Sequence, residues 1–436
     1  MKDPRKKGSL RQRARRLLRP ILRPPPWRAL PRELRALNVD ALAEKIPGGL
    51  RDPGFARLVQ RIDASPLHRD NTITLYAKGD DAFAAMEEAI AAAQEEILLE
   101  SYILKDDATG RAFADLLEAA ARKHVAVRVL ADAFGSFQTR QMFWDRLAAA
   151  GVEVHLFHPL LRSLWYQPFR DHRKILAVDR RVGFTGGMNI AEEYGSSPAF
   201  RREPKSSRAT WRDTHLRVVG PAVWEMAVVF SEGWERAGGM PFSIPPLEVA
   251  RDAGGSRVLV LDSMPGRGHQ ETATILAAVL GAARRNVWIT NAYFAPRSAA
   301  LGVFERAASR GVDIRLLLPG ISDAPVVRHA GHGCFRELLA SDVRVFEYQP
   351  SVLHAKSLVA DGHVSMVGSS NMDFRSFHFN AECNLLAFDD IVARTLEAQY
   401  VDDLAQSVEI TEPGWSARPV LHRFGDGCAR KLGVFL

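Results

Sequence analysis

The sequence predicts an α/β protein made of two similar units that pack about a pseudo-two-fold axis. Three observations predict this fold class. Apolar, β-branched runs alternate with Ala-rich helical stretches, the pattern of the first half recurs in the second, and Gly and Pro clusters at 236–256 separate the halves. Alternating strand and helix signals are typical of βαβ units, which predicts a largely parallel, buried sheet. Two similar units usually pack isologously, so a site on their axis would receive the same residues twice.

The predicted elements recur in the same order in both halves. A helical stretch at 84–95 precedes the apolar run 96–103, and a stretch at 273–285 precedes the run 286–293. Farther along, the helical stretches 111–123 and 301–310 precede the runs that begin at Val125 and Val312. We therefore predict a tail at residues 1–50, a first domain at 51–243, and a second domain at 244–436.

The composition is that of an ordinary globular protein. Of 436 residues, 47% are hydrophobic and 25% are charged, which excludes disordered and fibrous classes. No apolar run approaches the ~18 residues that a membrane-spanning helix needs. Three scattered cysteines indicate neither a disulfide framework nor a zinc cluster, and they favour a reducing compartment.

The positive charge is concentrated in the N-terminal tail. Residues 1–35 hold thirteen Lys or Arg against Asp3 and Glu33, a net charge of +11, which leaves −4 on the rest of a chain whose total is +7. We expect this tail to be partly disordered. Three interpretations stay open: an interfacial anchor whose arginines contact anionic lipid heads, a solvated tail, or a nucleic-acid contact.

The strongest match between the halves is a duplicated motif, His-x-Lys-x4-Asp, followed by Gly and Asn. With 13 His, 11 Lys and 27 Asp in 436 residues, chance gives about 0.02 occurrences of the first three positions. The two copies are 182 residues apart, and their members are His172, Lys174, Asp179, Gly186 and Asn189, and His354, Lys356, Asp361, Gly368 and Asn371.

The spacing of the motif predicts what each residue does. In a β-type run, residues i and i+2 share a face, so His and Lys project together. Asp179 and Asp361 belong to the predicted catalytic motif, but their odd spacing and their position before a turn indicate that they fix the turn or orient a partner. The glycine-bearing loop that ends at Asn189 or Asn371 can approach an anion, and the amide can donate to a phosphate oxygen.

Two imidazoles, two ammonium groups and two amides suit a phosphodiester. One His attacks phosphorus to form a phosphohistidine, and the other acts as general acid and then as general base. The lysines and asparagines stabilise charge on the non-bridging oxygens. No carboxylate cluster with metal-ligand spacing stands near either motif, so we infer neither a metal nor a cofactor.

These motifs resemble the phospholipase D superfamily and, within it, the bacterial cardiolipin synthases. The resemblance covers roughly residues 60–405, and includes the segments Leu99–Ile103, Trp211–Val223 and Gly368–Ser376. It implies two α/β-sandwich domains and transfer of a phosphatidyl group from one phospholipid to the hydroxyl of phosphatidylglycerol. It further implies that His172 is the nucleophile, that His354 is the acid and base, and that Glu382 orients a motif histidine.

Other functions compete with this one. A phospholipase D would use water in the second step and release phosphatidic acid, and the sequence does not separate the two. A nuclease of the superfamily is disfavoured because the body of the chain is acidic, and we expect no nucleic-acid partner. A lipid- or phosphate-binding module without catalysis is disfavoured by two intact motifs. We expect a peripheral enzyme at the cytoplasmic face of the cell membrane, with phospholipid substrates and an anionic membrane surface as partners.

Overall fold

The structure is a computed structural model that describes residues 45–158, 169–195, 210–246, 254–264, 271–419 and 425–430. The predicted basic tail lies outside the described residues except for its last six positions. Among the helices of the described residues, none is both long and apolar enough to cross a bilayer.

Both halves contain alternating helices and strands. In the first half the chain runs through α1 (Pro53–Asp63), β1 (His68–Tyr76), α2 (Gly79–Ala91), β2 (Glu96–Ser101), α3 (Ala108–Arg122), β3 (Ala126–Asp132), α4 (Gln141–Ala149), β4 (Glu153–Phe157), β5 (Arg170–Asp171), β6 (Lys174–Val178), β7 (Val182–Gly186), β8 (His215–Val219) and α5 (Ala222–Arg236).

The second half repeats this order from β1 onward without a counterpart of β5. It adds two short strands and a short helix within the repeat, and a short strand and helix at its C-terminal end. It runs through β9 (Ser256–Ser263), α6 (Glu271–Ala282), β10 (Asn286–Asn291), β11 (Phe294–Ala295), α7 (Ser298–Ser309), β12 (Asp313–Ile321), α8 (Pro325–Ala340), β13 (Arg344–Val352), β14 (Lys356–Ala360), β15 (Val364–Gly368), β16 (Met372–Asp373), α9 (Phe374–His378), β17 (Asn380–Phe388), α10 (Asp390–Leu404), β18 (Ser407–Ile410) and α11 (Glu412–Ser416).

The strand order is nearly palindromic, which expresses the internal repeat. One continuous sheet runs β18-β13-β12-β10-β14-β15-β17-β9-β1-β8-β7-β6-β2-β3-β4. Its midpoint is the antiparallel pair β1 and β9, where His68 lies opposite Val258. Reading outward from that pair gives equivalent strands in both directions, as a pseudo-two-fold axis requires. The predicted fold class, two similar α/β units about such an axis, is confirmed.

The expectation of a largely parallel sheet is wrong. Along the main path of the sheet, in the residues that the structure describes, parallel pairing is confined to β2-β3-β4 and β10-β12-β13. The motif strands are instead antiparallel hairpins, β6 with β7 and β14 with β15. A three-residue turn joins each pair, and only a connection of a dozen or more residues allows parallel pairing. Apolar runs do not distinguish the two cases, because strands buried on both faces look alike.

Helices cover both faces of the sheet. On one face, α2, α3 and α4 bury a core in the first half, and α6, α7 and α8 bury an equivalent core in the second. On the opposite face a single core spans both halves, where Phe230 and Trp234 of α5 and Leu396 of α10 share one cluster with strand residues from each side. The shared core and the β1–β9 pairing fix the two halves relative to each other, and so fix any site between them.

Helix α1 comes before the strands of the first half in the chain but packs against the second half. The predicted boundary at residue 51 assigns it to the first domain, yet Phe55 and Val59 are buried in the core of the second half. The Phe55 ring packs edge-on against Phe388 of β17, with 6.2 Å between ring centroids. Asp52 caps the helix by accepting a hydrogen bond from the Gly54 backbone at 2.8 Å.

Candidate active site

The two motif histidines lie two residues before the equivalent strands β6 and β14. His172 and Lys174 alternate with Arg173, whose fully buried guanidinium forms ion pairs with Glu100 and Asp262. In the second copy, His354 precedes Ala355 and Lys356 in the same way. Both histidines and both lysines are buried. The alternation of an extended chain therefore separates a structural arginine from the chemistry-bearing pair.

Backbone hydrogen bonds attach each histidine to the opposite half of the molecule. The His172 amide donates to the Ala381 carbonyl on β17 at 2.9 Å, and the His354 amide donates to the Arg212 carbonyl at 2.7 Å. These bonds extend two parallel pairings, β5 with β17 and Arg212 with Leu353. The chain that carries one motif is thus held by the chain that flanks the other motif.

A carboxylate from the second half orients the first-half histidine. Both Glu382 oxygens lie within hydrogen-bond distance of His172 Nδ1, at 3.0 and 3.1 Å, and the Glu382 side chain is fully buried. Asn380 donates to Glu382 at 3.3 Å, and the Tyr102 ring packs edge-on against the imidazole with 5.0 Å between centroids. With Glu382 ionised, Nδ1–H donates to it, which leaves the lone pair on Nε2.

A carboxylate from the first half orients the second-half histidine. Asp213 Oδ2 lies 2.8 Å from His354 Nδ1, and Lys356 Nζ lies 2.7 Å from the same nitrogen. Only one of these neighbours can share the Nδ1 proton, and the buried carboxylate is the acceptor that a donating Nδ1–H requires. The rings of Tyr194 and Trp211 each pack 5.4 Å from the imidazole, centroid to centroid.

The two motif histidines lie close enough for their charges to interact. Burial lowers the pKa of His172 well below its usual range, and the positive charges of Lys174, Lys356 and His354 lower it further. Burial and Lys356 also lower the pKa of His354, but its hydrogen bond to Asp213 opposes them. Both rings are therefore biased toward the neutral form before an anion arrives, His172 more strongly than His354.

Burial also shifts the pKa values of the two motif lysines and of Glu382. Burial lowers the pKa of Lys174 to about 7 and that of Lys356 to about 8. Burial raises the pKa of Glu382 to about 7, although the Lys174 charge opposes the shift. A site with several groups whose pKa values lie near neutral pH is typical of acid–base chemistry.

Comparison with known proteins identifies the family. The family model described as cardiolipin synthase, PLD-like domain, matches residues 86–196 and 276–404. A cardiolipin synthase of Alkalihalophilus pseudofirmus is 32% identical over 409 residues, which are 92% of this chain and 79% of that protein. Cardiolipin synthase A of Pseudomonas aeruginosa is 35% identical over 402 residues, which are 91% and 79% of the two chains. The chain belongs to the cardiolipin synthase family. The resemblance predicted from the motifs is confirmed.

Solved structures agree on the fold. Phosphatidylserine synthase of Haemophilus influenzae superposes with a TM-score of 0.66 at 13% identity, covering 88% of this chain and 100% of that one. Polyphosphate kinase of Porphyromonas gingivalis superposes with a TM-score of 0.53 at 16% identity, covering 84% and 54% of the two chains. At these identities the likeness concerns the fold alone.

The motif aspartates of this cardiolipin synthase family member lie at the far ends of the motif strands. Asp179 accepts hydrogen bonds from the backbone amides of residues 94, 95 and 96, at 2.7–2.9 Å. Asp361 accepts the equivalent bonds from residues 284, 285 and 286, at 2.8–3.0 Å. Both have positive φ, 50° and 51°, which Asp tolerates better than most residues. The structure thus places them at the loops before β2 and β10, and it does not bring them to the histidines.

The two motif asparagines are buried and differ in their contacts. Asn189 Nδ2 donates to the Tyr194 hydroxyl at 2.7 Å, and its Oδ1 accepts from the Ile103 amide at 3.1 Å. In Asn371, the backbone amide donates to Ser376 Oγ at 3.2 Å, and Oδ1 has no hydrogen-bond partner among the described residues. The Tyr194 hydroxyl lies 3.4 Å from His354 Nδ1, which connects Asn189 to the second-half histidine.

Sequence reasoning missed Asp213 as the counterpart of Glu382. Gly186 pairs with His215 across β7 and β8, and Gly368 pairs with Asn384 across β15 and β17. Asp213 and Glu382 each precede the paired residue by two positions, so they are equivalent in the repeat. The signal is this shared spacing from the strand opposite the motif glycine, although the residue type differs between the halves.

Proposed function

We propose that this protein is a phosphatidyltransferase of the cardiolipin synthase type that acts through a covalent phosphohistidine. The observation that carries the proposal is the crossed pair of contacts, His172 with Glu382 and His354 with Asp213. Each imidazole is held in a defined tautomer by a buried carboxylate, which is what acid–base and nucleophilic use of a histidine requires. The cardiolipin synthase relatives support phospholipids as substrates.

In the first half-reaction, His172 Nε2 attacks the phosphorus of a phospholipid. The bond from phosphorus to the head-group oxygen breaks, and His354 Nε2–H gives its proton to the leaving alkoxide. The stronger downward shift of the His172 pKa favours it as the neutral nucleophile, whereas Asp213 favours a protonated His354. The bound phosphate monoanion opposes the lysine charges and so stabilises the protonated acid.

In the second half-reaction, the hydroxyl of phosphatidylglycerol attacks the phosphohistidine. Now neutral, His354 takes the hydroxyl proton, the new phosphorus–oxygen bond forms, and the bond to His172 Nε2 breaks. Lys174 and Lys356 stabilise the charge on the non-bridging oxygens. Asn189 and Asn371 are proposed phosphate ligands, since an amide nitrogen carries two protons and Asn189 uses one on Tyr194.

We further propose that the enzyme binds peripherally to the cytoplasmic face of an anionic membrane. Beside the basic tail, the described residues offer an apolar rim, which we define as Phe134 and Phe137. These side chains are 51% and 63% exposed, and their ring centroids lie 6.3 Å apart. The rim adjoins the site, because Ser136 Oγ donates to the Tyr102 carbonyl at 3.2 Å and the Tyr102 ring packs on His172. Exposed aromatic side chains close to a proposed lipid site suit the bilayer interface.

Product analysis tests the proposed reaction. Purified protein is incubated with phosphatidylglycerol vesicles, and lipids and released glycerol are measured. Cardiolipin with stoichiometric glycerol is expected, whereas phosphatidic acid without cardiolipin would show a hydrolase instead. His172→Ala and His354→Ala should each abolish turnover, and His363→Gln is the matched control, because His363 lies in the second motif block but bonds Asp390 at 2.6 Å.

Substantial turnover by either alanine variant would refute the paired-histidine mechanism. The covalent step has its own test. The His354→Ala variant lacks both the general acid and the general base, so it is given a phosphorus-labelled phosphatidyl ester of p-nitrophenol, whose leaving group departs without a proton. An acid-labile, base-stable phosphoramidate should then accumulate on His172, because no base activates the acceptor hydroxyl. Label on another residue, or label that persists in His172→Ala, would contradict the assignment of the nucleophile.

A further inference from the structure

A second cluster of titratable residues lies in the second half, around a cavity of about 450 Å³. Helix α8 supplies His329 and His332, strand β13 supplies Glu347, and the segment around α11 supplies Trp415 and Arg418. None of these residues belongs to the duplicated motifs, and the proposed reaction does not use them.

Three potential ligand atoms converge beside this cavity, although only the two histidines line it. His329 and His332 are three residues apart on α8, so they lie on one face of the helix. Asp426, from the C-terminal segment 425–430, places Oδ1 2.8 Å from His329 Nδ1 and 3.7 Å from His332 Nδ1. Ligand atoms of all three residues lie within 4.8 Å of one another.

The hydrogen bonding of His332 indicates that a cation or a proton donor is needed between its Nδ1 and the Asp426 carboxylate. Its Nε2 lies 2.9 Å from Glu347 Oε1, which also accepts from Arg328 at 2.9 Å. Because an ionised Glu347 accepts, Nε2 carries the proton, and Nδ1 of the neutral ring presents a lone pair. That Nδ1 is buried, has no hydrogen-bond partner among the described residues, and faces the Asp426 carboxylate. Two acceptors that face each other in a buried site require a cation or a proton donor between them.

The surrounding residues resemble the outer shell of a metal site. A histidine ligand commonly donates its other ring N–H to a carboxylate, as His332 does to Glu347. Arg418 donates to Asp426 Oδ2 at 2.7 Å and stacks on Trp415, which leaves Oδ1 for the ion. Arg328 and Arg418 each pair with a carboxylate, so their charges are already balanced.

We propose that His329, His332 and Asp426 bind a divalent transition-metal ion, for which two imidazoles and a carboxylate make a donor set that suits Zn²⁺. Three protein ligands leave a fourth tetrahedral position, which the cavity can fill with water. Half of the His329 side chain is exposed, which provides an entry path for the ion. Since Asp426 comes from the last described segment, metal binding fastens that segment to α8 and raises stability by linkage.

The test is direct Zn²⁺ binding by the full chain in a Cys428→Ser background, because the exposed Cys428 thiol is an unrelated zinc ligand near the site. Calorimetric titration of that protein should show one equivalent of tightly bound Zn²⁺. A thermal unfolding scan should show a higher melting temperature with Zn²⁺ than without it. His329→Ala and His332→Ala should each remove this equivalent. Glu347→Gln removes the charged partner of His332 and Arg328 and leaves the three ligands in place, so it should weaken zinc binding about 10- to 100-fold.

Arg430→Ala is the matched control for docking of the C-terminal segment. Arg430 joins that segment to α8 through the Gly333 carbonyl and Glu337, at 2.9 and 2.6 Å, without contacting the three ligands. It should lower stability and retain the zinc equivalent. Co²⁺ substitution should give d–d bands without a thiolate charge-transfer band. If the reference protein binds no zinc, or if the histidine variants bind as it does, the cluster is an ion-pair network with a protonated His332, and the proposal is refuted.

Discussion

Replacing Glu382 by Gln separates the chemical role of this carboxylate from its structural role. Glu382 is fully buried, and both of its oxygens lie about 3 Å from His172 Nδ1, at 3.0 and 3.1 Å. The amide has nearly the same shape, but it carries no charge and can present either an oxygen or an NH₂ group to the ring. We therefore expect the E382Q variant to fold and to lose most of its rate of phosphohistidine formation.

The magnitude follows from two effects. A hydrogen bond to a charged group contributes about 1.5–3 kcal/mol, against about 1 kcal/mol for a neutral bond, so loss of the charge alone costs up to about 2 kcal/mol, or 30-fold. If the amide presents its NH₂ group, Nε2 is protonated and cannot attack, and such a tautomer change costs up to about 10⁴-fold in the related triad chemistry. The expected loss in single-turnover rate is therefore up to about 30-fold if the amide presents its oxygen, and up to about 10⁴-fold if it presents its NH₂ group.

The pH dependence provides a readout that a merely structural role would not change. Burial raises the pKa of Glu382 to about 7, so the wild-type rate should fall as the pH drops below about 7 and the carboxylate is protonated. E382Q should lack this acid limb, and Glu382→Asp should restore part of the rate together with the limb. A variant that keeps its rate within threefold, or keeps the acid limb, would refute the assigned role.

The E382Q substitution should preserve or raise the stability of the fold, although it lowers the rate. The native pKa of Glu382, about 7, exceeds the value of 4.5 for an unperturbed glutamate. The native state therefore binds more protons than the unfolded state between these values, and stability falls as the pH rises through them. The difference corresponds to about 3 kcal/mol above pH 7, which the neutral amide does not incur. Denaturant unfolding at pH 8 should accordingly show E382Q to be at least as stable as the wild type.

Three further predictions concern the aspartates, the lysines and the apolar rim. Asp179→Ala removes the acceptor of three backbone N–H groups, so it should lower the free energy of unfolding in urea by about 2–4 kcal/mol while the rate per folded molecule stays within tenfold. A complete loss of rate in folded protein would instead show that Asp179 takes part in the chemistry. Lys174→Arg should move the alkaline limb of the pH–rate profile upward, because burial lowers the Lys174 pKa to about 7 whereas a guanidinium stays charged, and an unmoved limb would assign it to another group. The double variant Phe134→Ser and Phe137→Ser should weaken vesicle binding about tenfold in a sedimentation assay and leave turnover of a short-chain, water-soluble substrate unchanged, and equal losses on both substrates would count against membrane contact.

The repeat was visible in the sequence because each half must satisfy the same local constraints. The helical stretches and apolar runs predicted α2, α3, β2 and β3 and their counterparts, since burial on both faces demands apolar residues along every strand. The strand directions were not visible, because the direction of pairing depends on the connections. The packing of α1 against the second half was not visible either, since an amphipathic helix does not encode which of two similar cores it will cover.

The candidate site shows the same division between local and long-range information. His172 and Lys174 could be predicted to project together from the two-residue period alone, and the aspartates could be assigned to the turns from their odd spacing. Asp213 could not, because its partner His354 is 141 positions away and its equivalence to Glu382 appears only when β8 and β17 are aligned through the motif glycines. The crossed arrangement also has a functional consequence. Each half carries a histidine and a carboxylate, but each carboxylate serves the other half's histidine, so neither half holds an oriented imidazole without the other. The candidate site therefore depends on both halves, which one continuous sheet and one shared core hold together.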